Sequence, residues 1–155
     1  MGFFDGYNVA TSGMSAQRTR INVVSSNIAN AKTTNTIDGG PYQKKHVVFE
    51  EVMVNQSNKA NTNDIEKSKF DLTNQQMGVR GVGVNSIVQS NEKPMMKFEP
   101  DHPDANEQGY VAYPNINPVV EMVDLIEAMR SYEANVATFN THKNIDSKTI
   151  EILNA

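Results

Sequence analysis

The 155-residue chain contains no cysteine, which excludes disulfide scaffolds, thiolate metal sites and cysteine nucleophiles. It also lacks a basic block. Its only lysine cluster is Gln43-Lys44-Lys45-His46 and the net charge is −4, the opposite of the balance a phosphate backbone attracts, so no nucleic acid is expected as a partner. No uninterrupted apolar run approaches the roughly 18 residues needed to cross a bilayer, so the chain is not expected to span a membrane. The opening Met1-Gly2-Phe3-Phe4-Asp5 has neither the basic start nor the apolar run of a cleaved secretory leader. Gly6 stands where a myristoylation motif requires Ser or Thr. No internal repeat is visible, which argues against a solenoid.

Signatures of catalysis are equally scarce. No Gly-x-Ser-x-Gly occurs, so there is no serine nucleophile elbow. Gly78-Val79-Arg80-Gly81-Val82-Gly83 has the glycine density of a phosphate loop, but it lacks the Gly-Lys-Ser/Thr ending and reads as a turn or bulge. Acids and an imidazole crowd together only at Asp101-His102-Pro103-Asp104. Asp and Pro at this density initiate and hold turns, so a rigid loop between two strands is the first reading there. A metal-assisted hydrolase centred on Asp101, His102 and Asp104 is the rival reading. His46 and His142 stand alone. No catalytic, cofactor-binding or metal site is expected, and no cofactor.

What the chain does have is an apolar row at each end. Steps of three and four pick out Tyr7, Ala10, Met14, Gln17, Ile21, Val24, Ile28 and Ala31 near the start. The same steps pick out Met122, Leu125, Met129, Tyr132, Val136, Phe139, Lys143, Asp146, Ile150 and Leu153 near the end. Each row is one face of a helix at heptad spacing. Helices of about 26 and 36 residues reach about 39 and 54 Å, so part of their apolar surface is expected to find partners outside the subunit and a lone copy to leave its ends loose. Small and polar residues, Ser25-Ser26-Asn27 and Ala29-Asn30 on one helix and Glu133-Ala134-Asn135 on the other, would let neighbouring helices approach closely. Polar groups buried there set register, because a shifted partner leaves them unpaired.

The first helix is predicted from Asp5 or Asn8 to near Ala31, ended by Lys32-Thr33-Thr34-Asn35-Thr36 and Asp38-Gly39-Gly40-Pro41. Strand composition follows from Tyr42 to Val54, then a polar stretch, Asn55 to Lys69, predicted to be a mobile loop. Val82, Val84 and Val88 are expected on one face of a strand within Val79–Gln89, with short strands at Met95–Phe98 and Tyr110–Tyr113. Asn117-Pro118 reads as a helix cap and first residue, with Glu121 and Asp124 favouring the positive end of the dipole. The fold expected is α+β: long N- and C-terminal helices paired antiparallel like a coiled coil (residues 1–32 and 116–155), with a small β-rich region over 33–115.

These residues resemble those of a known family, the bacterial flagellar basal-body rod proteins, and most closely its proximal-rod component. Ser25-Ser26-Asn27-Ile28-Ala29-Asn30-Ala31, Thr33-Thr34 and Gly39-Gly40-Pro41-Tyr42 look like the Asn-x-Ala-Asn-x-x-Thr signature shared by rod and hook proteins. More discriminating are Asp101-His102-Pro103-Asp104-Ala105, Gly109-Tyr110-Val111, Pro114-Asn115-Ile116-Asn117 and the block Glu121 to Asn135. Gln43-Lys44-Lys45 stands where that pattern is usually richer in arginine. The resemblance implies a structural, non-enzymatic part of the hollow rod crossing the periplasm. It further implies export through the flagellar type III apparatus on uncleaved N-terminal information. The implied partners are copies of the chain, the other proximal-rod proteins and the distal rod, with the export gate and the basal-body ring complex at the base. The assembly interface expected comprises Tyr7, Ala10, Met14, Ile21, Val24, Asn27, Ile28, Asn30, Met122, Leu125, Met129, Tyr132, Val136, Phe139, Ile150 and Leu153. A coiled-coil adaptor forming a small closed oligomer is the remaining alternative.

Overall fold

The computed structural model describes residues 4–37, 39–53 and 79–153; the loop expected at Asn55 to Lys69 lies outside them. The order is α1 (Asp5–Ala29), β1 (Lys45–Met53), β2 (Arg80–Gln89), β3 (Met95–Phe98), β4 (Tyr110–Tyr113) and α2 (Pro118–Leu153), the α+β arrangement that the residue pattern predicts.

The two helices form an antiparallel pair. At one end Tyr7 meets Phe139 and His142, in the middle Arg20 reaches Asp124 and Glu127 at 3.6 and 3.9 Å, and at the other end Asn27 bonds Glu121. Two glycines allow the close approach. A Cβ on Gly13 would stand 2.9 Å from the Asn135 amide, and one on Gly6 2.7 Å from the His142 ring. A glycine inside a helix costs about 1 kcal/mol against alanine, and here the absent side chain is the space that the facing helix occupies. Gly6, Gly13, Arg20 and Asn27 are spaced by seven, as are Glu121, Ala128, Asn135 and His142 opposite. That regular step is coiled-coil geometry.

Local chemistry bounds each helix. Asn117 Oδ1 accepts the Val119 N–H at 3.0 Å, with Pro118 at the first helical position, as the Asn-Pro pair predicts. Helix α1 stops at Ala29, two residues before Ala31, because Asn30 leaves helical geometry and its side-chain amide donates to the Ser26 carbonyl at 2.9 Å.

The strands make two separate antiparallel hairpins, β1–β2 and β3–β4. The alternation in β2 is interrupted. Val48 pairs with Ser86 and Phe49 with Val84, so Asn85 is an extra residue opposite a single step of β1, and a bulge of this kind reverses which face the following residues take. Val88 lies opposite His46, whereas Val84 and Val82 lie opposite Phe49 and Glu51. The expectation that Val82, Val84 and Val88 share a face is therefore corrected. The bulge also twists a sheet that has two strands among the described residues, and twisted edges resist adding strands from other chains.

The β1–β2 hairpin rests on α1, where the Ser12 hydroxyl accepts the Val82 N–H at 3.2 Å. Helix α1 is thereby held from two sides, with Ala10, Ala16, Val23 and Val24 buried. Burial is thus concentrated in α1, while the end of α2 leaves Ile150, Ile152 and Leu153 exposed. The buried set is small-sided: Ala128 and Val111 are fully covered and Ile116 nearly so. Close packing of small residues leaves no room for added volume. Ala128→Leu is expected to lower stability by about 1–3 kcal/mol, whereas Met129→Leu, one residue round the helix and half exposed, should leave it unchanged. Denaturant unfolding followed by circular dichroism checks both.

Candidate assembly interface

The helix pair and the start of its hairpin meet at a buried polar residue. Asn27 is 1% exposed, and its amide uses both its donor and acceptor sides. Nδ2 donates to the Lys45 carbonyl at 2.9 Å and to Glu121 Oε2 at 3.0 Å. Oδ1 accepts the Lys45 N–H at 3.0 Å and the Tyr42 hydroxyl at 3.2 Å. By taking both backbone groups of Lys45, the amide does what a neighbouring strand would do at the start of β1. Glu121, also 1% exposed, receives the Lys44 ammonium on Oε1 at 2.6 Å. A buried carboxylate is tolerable only when paired and hydrogen-bonded, and Asn27 with Lys44 supplies both conditions.

The remaining positions of the Asn-x-Ala-Asn-x-x-Thr signature also have local roles. Asn30 ends the helix, the Thr33 hydroxyl donates to Asn30 Oδ1 at 3.2 Å, and the Thr33 carbonyl accepts the Tyr42 N–H at 3.1 Å. The turn after α1 is thus folded back so that Tyr42, Lys44 and Lys45 reach Asn27 and Glu121. Nothing in apolar periodicity marks Glu121, Lys45 or Tyr42 as partners of Asn27. The closely spaced asparagines were the visible signal, and only the fold supplies what they bind.

The structure divides the expected interface residues between two environments. Ala10, Val24 and Asn27 are buried, and Tyr7, Met14, Ile21, Ile28, Asn30, Leu125, Tyr132, Val136 and Phe139 are half-buried. Met122, Met129, Ile150 and Leu153 are 50%, 47%, 54% and 80% exposed. On α2 the inner seam keeps half of the predicted row and shifts the other half by one residue. Phe139 and Asp146 meet Tyr7, while Glu121, Asn135 and His142 occupy the inner positions in place of Met122, Val136 and Lys143. Val119, Val123 and Ile126 join Met122 and Met129 as exposed apolar side chains of α2.

At the far end Tyr7 donates to Asp146 at 2.5 Å. That bond, with desolvation and the nearby negative charge, pushes the phenol above its ordinary value of 10.0. In the outer hairpin Glu99 is held below the usual carboxylate range by the Lys97 ammonium and then by the Tyr113 hydroxyl, which donates at 2.7 Å. The Asp101-His102-Pro103-Asp104 stretch is a turn between β3 and β4. His102 Nδ1 accepts the Asp104 N–H at 3.1 Å, and Asp104 Oδ2 accepts the Thr34 hydroxyl at 2.7 Å, which pins this turn to the segment after α1. Among the described residues no three His, Asp or Glu side chains are grouped to hold a metal ion, and no helix is long and apolar enough to cross a membrane.

The two helical segments carry the likeness to known proteins. Residues 8–35 match the family model described as Flagella basal body rod protein, and residues 107–152 match Flagellar basal body rod FlgEFG protein C-terminal. The class is that of the flagellar basal-body rod proteins. The chain is similar over nearly its whole length to the flagellar basal-body rod proteins FlgC of Borreliella burgdorferi (40% identical, 99% of each chain), Bacillus subtilis (38%, 96% of this chain and 97% of the relative) and Salmonella typhimurium (34%, 98% of each). It belongs to the FlgC family and is a structural subunit of the flagellar basal-body rod.

Asn27→Ala is expected to cost roughly 3–5 kcal/mol, because four hydrogen bonds are lost and buried partners stay unpaired; chemical denaturation measures this. The raised phenol of Tyr7 sets a second expectation. A group whose folded value exceeds its unfolded value contributes fully below the unfolded one and loses that contribution as pH rises through the folded one. Tyr7→Phe should therefore be less stable than the parent at pH 8, with the gap closing above pH 10, in paired melting curves.

Proposed function

We propose that the chain builds the proximal part of the rod by packing its helix pair against the helix pairs of neighbours, with residues 1–32 and 116–155 forming the core and 33–115 the outer layer. The observation that carries this reading is that each segment matched by a rod family model contains most of one of the two helices, while the exposed apolar side chains in the first part of α2, Val119, Met122, Val123 and Ile126, are spaced to lie on a face turned away from Glu121 and Ala128. Side chains such as Val119, Met122 and Val123, 68%, 50% and 60% exposed, gain about 0.8 kcal/mol per methylene when covered. The interface comprises the sixteen residues expected from the sequence. Its exposed members contact neighbours directly, and its buried members hold the pair in the shape that neighbours meet.

The partners are copies of the chain, the other proximal-rod proteins and the distal rod, with the export gate and ring complex at the base. The chain reaches the periplasm through the flagellar type III apparatus. Its role is mechanical and it catalyses nothing. A repeated head-to-tail contact generates a tube or screw instead of a closed oligomer, and close-packed helix interfaces resist shear, so the assembled rod transmits torque.

Met129→Asp separates assembly from folding, since a half-exposed position tolerates a charge in the free chain to within about 0.5 kcal/mol. Unchanged melting of the purified protein together with loss of swimming in soft agar is the expected outcome. Normal motility with the variant present in basal bodies would contradict the interface, and a charge at Asn58 or Asn61 serves as the tolerant control.

A further inference from the structure

The two edges of the β3–β4 hairpin differ. Its register runs without a shift, unlike that of β1–β2. The Glu99 N–H donates to the Gly109 carbonyl at 2.9 Å, and in an antiparallel ladder every second residue bonds across while its neighbours turn their backbone groups outward. Tyr110 therefore points its N–H and carbonyl away from β3, and Asn106 takes both. The Asn106 side-chain oxygen accepts the N–H at 2.8 Å, and the Asn106 N–H donates to the carbonyl at 2.9 Å. On β3 the outward residues are Met96 and Phe98. They are 53% and 61% exposed, and no group among the described residues caps their outward backbone. We propose that a second copy of the chain lays its own β3 antiparallel along this open edge, making one four-stranded sheet from two hairpins.

Register and charge select this occupant. Outward groups at Met96 and Phe98 pair when Met96 of each copy faces Phe98 of the other, which centres the two-fold axis on Lys97. Lys93 and Asp101 stand equally far on either side of Lys97, so this register sets each Lys93 opposite the second copy's Asp101. Both are exposed, and neither forms an ion pair among the described residues. A parallel neighbour would instead bring like charges together at both ends. At the axis each Lys97 ammonium is already bonded to Glu99 of its own strand, so the centre carries no net charge. Access is open as well. Val111 of β4 is fully buried, while Met95 and Lys97 on the same face of β3 stay exposed, so the body of the subunit covers β4 and leaves β3 free. Pro94 and Pro100 stand just outside the strand and confine pairing to it. Two strands alone are marginal in water, and four sharing the apolar face of Met96, Phe98, Tyr110 and Ala112 are less so.

Identical edges close at two, so this contact belongs to the free chain and stands or falls apart from the rod reading. It is small, below the roughly 1,200 Å² at which stable interfaces begin, and therefore forms only at high concentration. Sedimentation of the purified full-length chain should show monomer at ~10 µM and dimer at ~1 mM. Because the chain has no cysteine, Lys97→Cys introduces its only thiol at the axis, where facing Cα atoms are about 4.5 Å apart. Lys93→Cys places a thiol just before the same strand, but two copies of it would be about 27 Å apart. Oxidised with copper phenanthroline at ~1 mM, Lys97→Cys should give at least about tenfold more disulfide dimer than Lys93→Cys, since a bridge requires Cα atoms within about 7 Å. Equal yields from the two would signify random collision and overturn the pairing. A parent chain that stays monomeric at ~1 mM would overturn it too, leaving the edge to a strand of another protein, and so would species that grow beyond dimers. Should Lys97→Cys fail to fold, Met95→Cys/Glu99→Cys, which face each other across the copies in the same register, decides the matter against either single variant.

Discussion

The arrangement depends on one buried amide. Asn27 holds the backbone of Lys45, the hydroxyl of Tyr42 and the carboxylate of Glu121, thereby joining α1, the start of β1 and the first turn of α2. Each of those elements is weak alone. A two-stranded hairpin is marginal in water, and an isolated helix takes most of its stability from packing. With Asn27 in place, the hairpin is fastened to α1 at one end and by Ser12 at the other, and the buried Glu121 has Asn27 bonded to one oxygen and the Lys44 ammonium 2.6 Å from the other. An apolar side chain at position 27 could fill the space but could not set the register of three elements at once. Specifying register is the best-attested use of a buried polar group between helices.

The small side chains of the inner seam follow from the same geometry. Glycine at 6 and 13 and alanine at 128 bring the helices close, so that Asn27 and Glu121 meet directly. Large apolar residues would separate the pair and open that contact. They are placed one residue round instead, where Met122, Met129 and Ile126 remain exposed. Small and polar residues thus share the inner side of α2 with Leu125, Tyr132 and Phe139, and in the proposed assembly the exposed Met122, Met129 and Ile126 are left for neighbours.

Much of this was legible in the sequence. Heptad stepping located both helices, Asn117-Pro118 marked the start of α2, and β-branched runs marked the strands. The choice of face was not legible. Met122, Met129 and Ile150 follow the same apolar rhythm as Leu125, Tyr132 and Phe139, and periodicity alone cannot tell a face covered within the chain from one to be covered by another. The residues that decide it, Glu121, Ala128, Asn135 and His142, score as polar or small and drop out of an apolar count. The bulge at Asn85 was hidden for a related reason, since an inserted residue leaves composition unchanged while inverting the alternation beyond it. The Asp101-His102-Pro103-Asp104 turn drew attention as chemistry, yet its groups are engaged in bonds that tie the outer hairpin to Thr34.

The central claim is that α2 has an inner face for folding and an outer face for assembly. Hydroxyl-radical footprinting of the purified chain and of intact basal bodies tests it directly, with methionines as reporters on both faces. Met122 and Met129 should oxidise readily in the free protein and be protected in the rod, while Met14, half-buried on α1, changes little. Equal oxidation of Met122 and Met129 in both states would contradict the account.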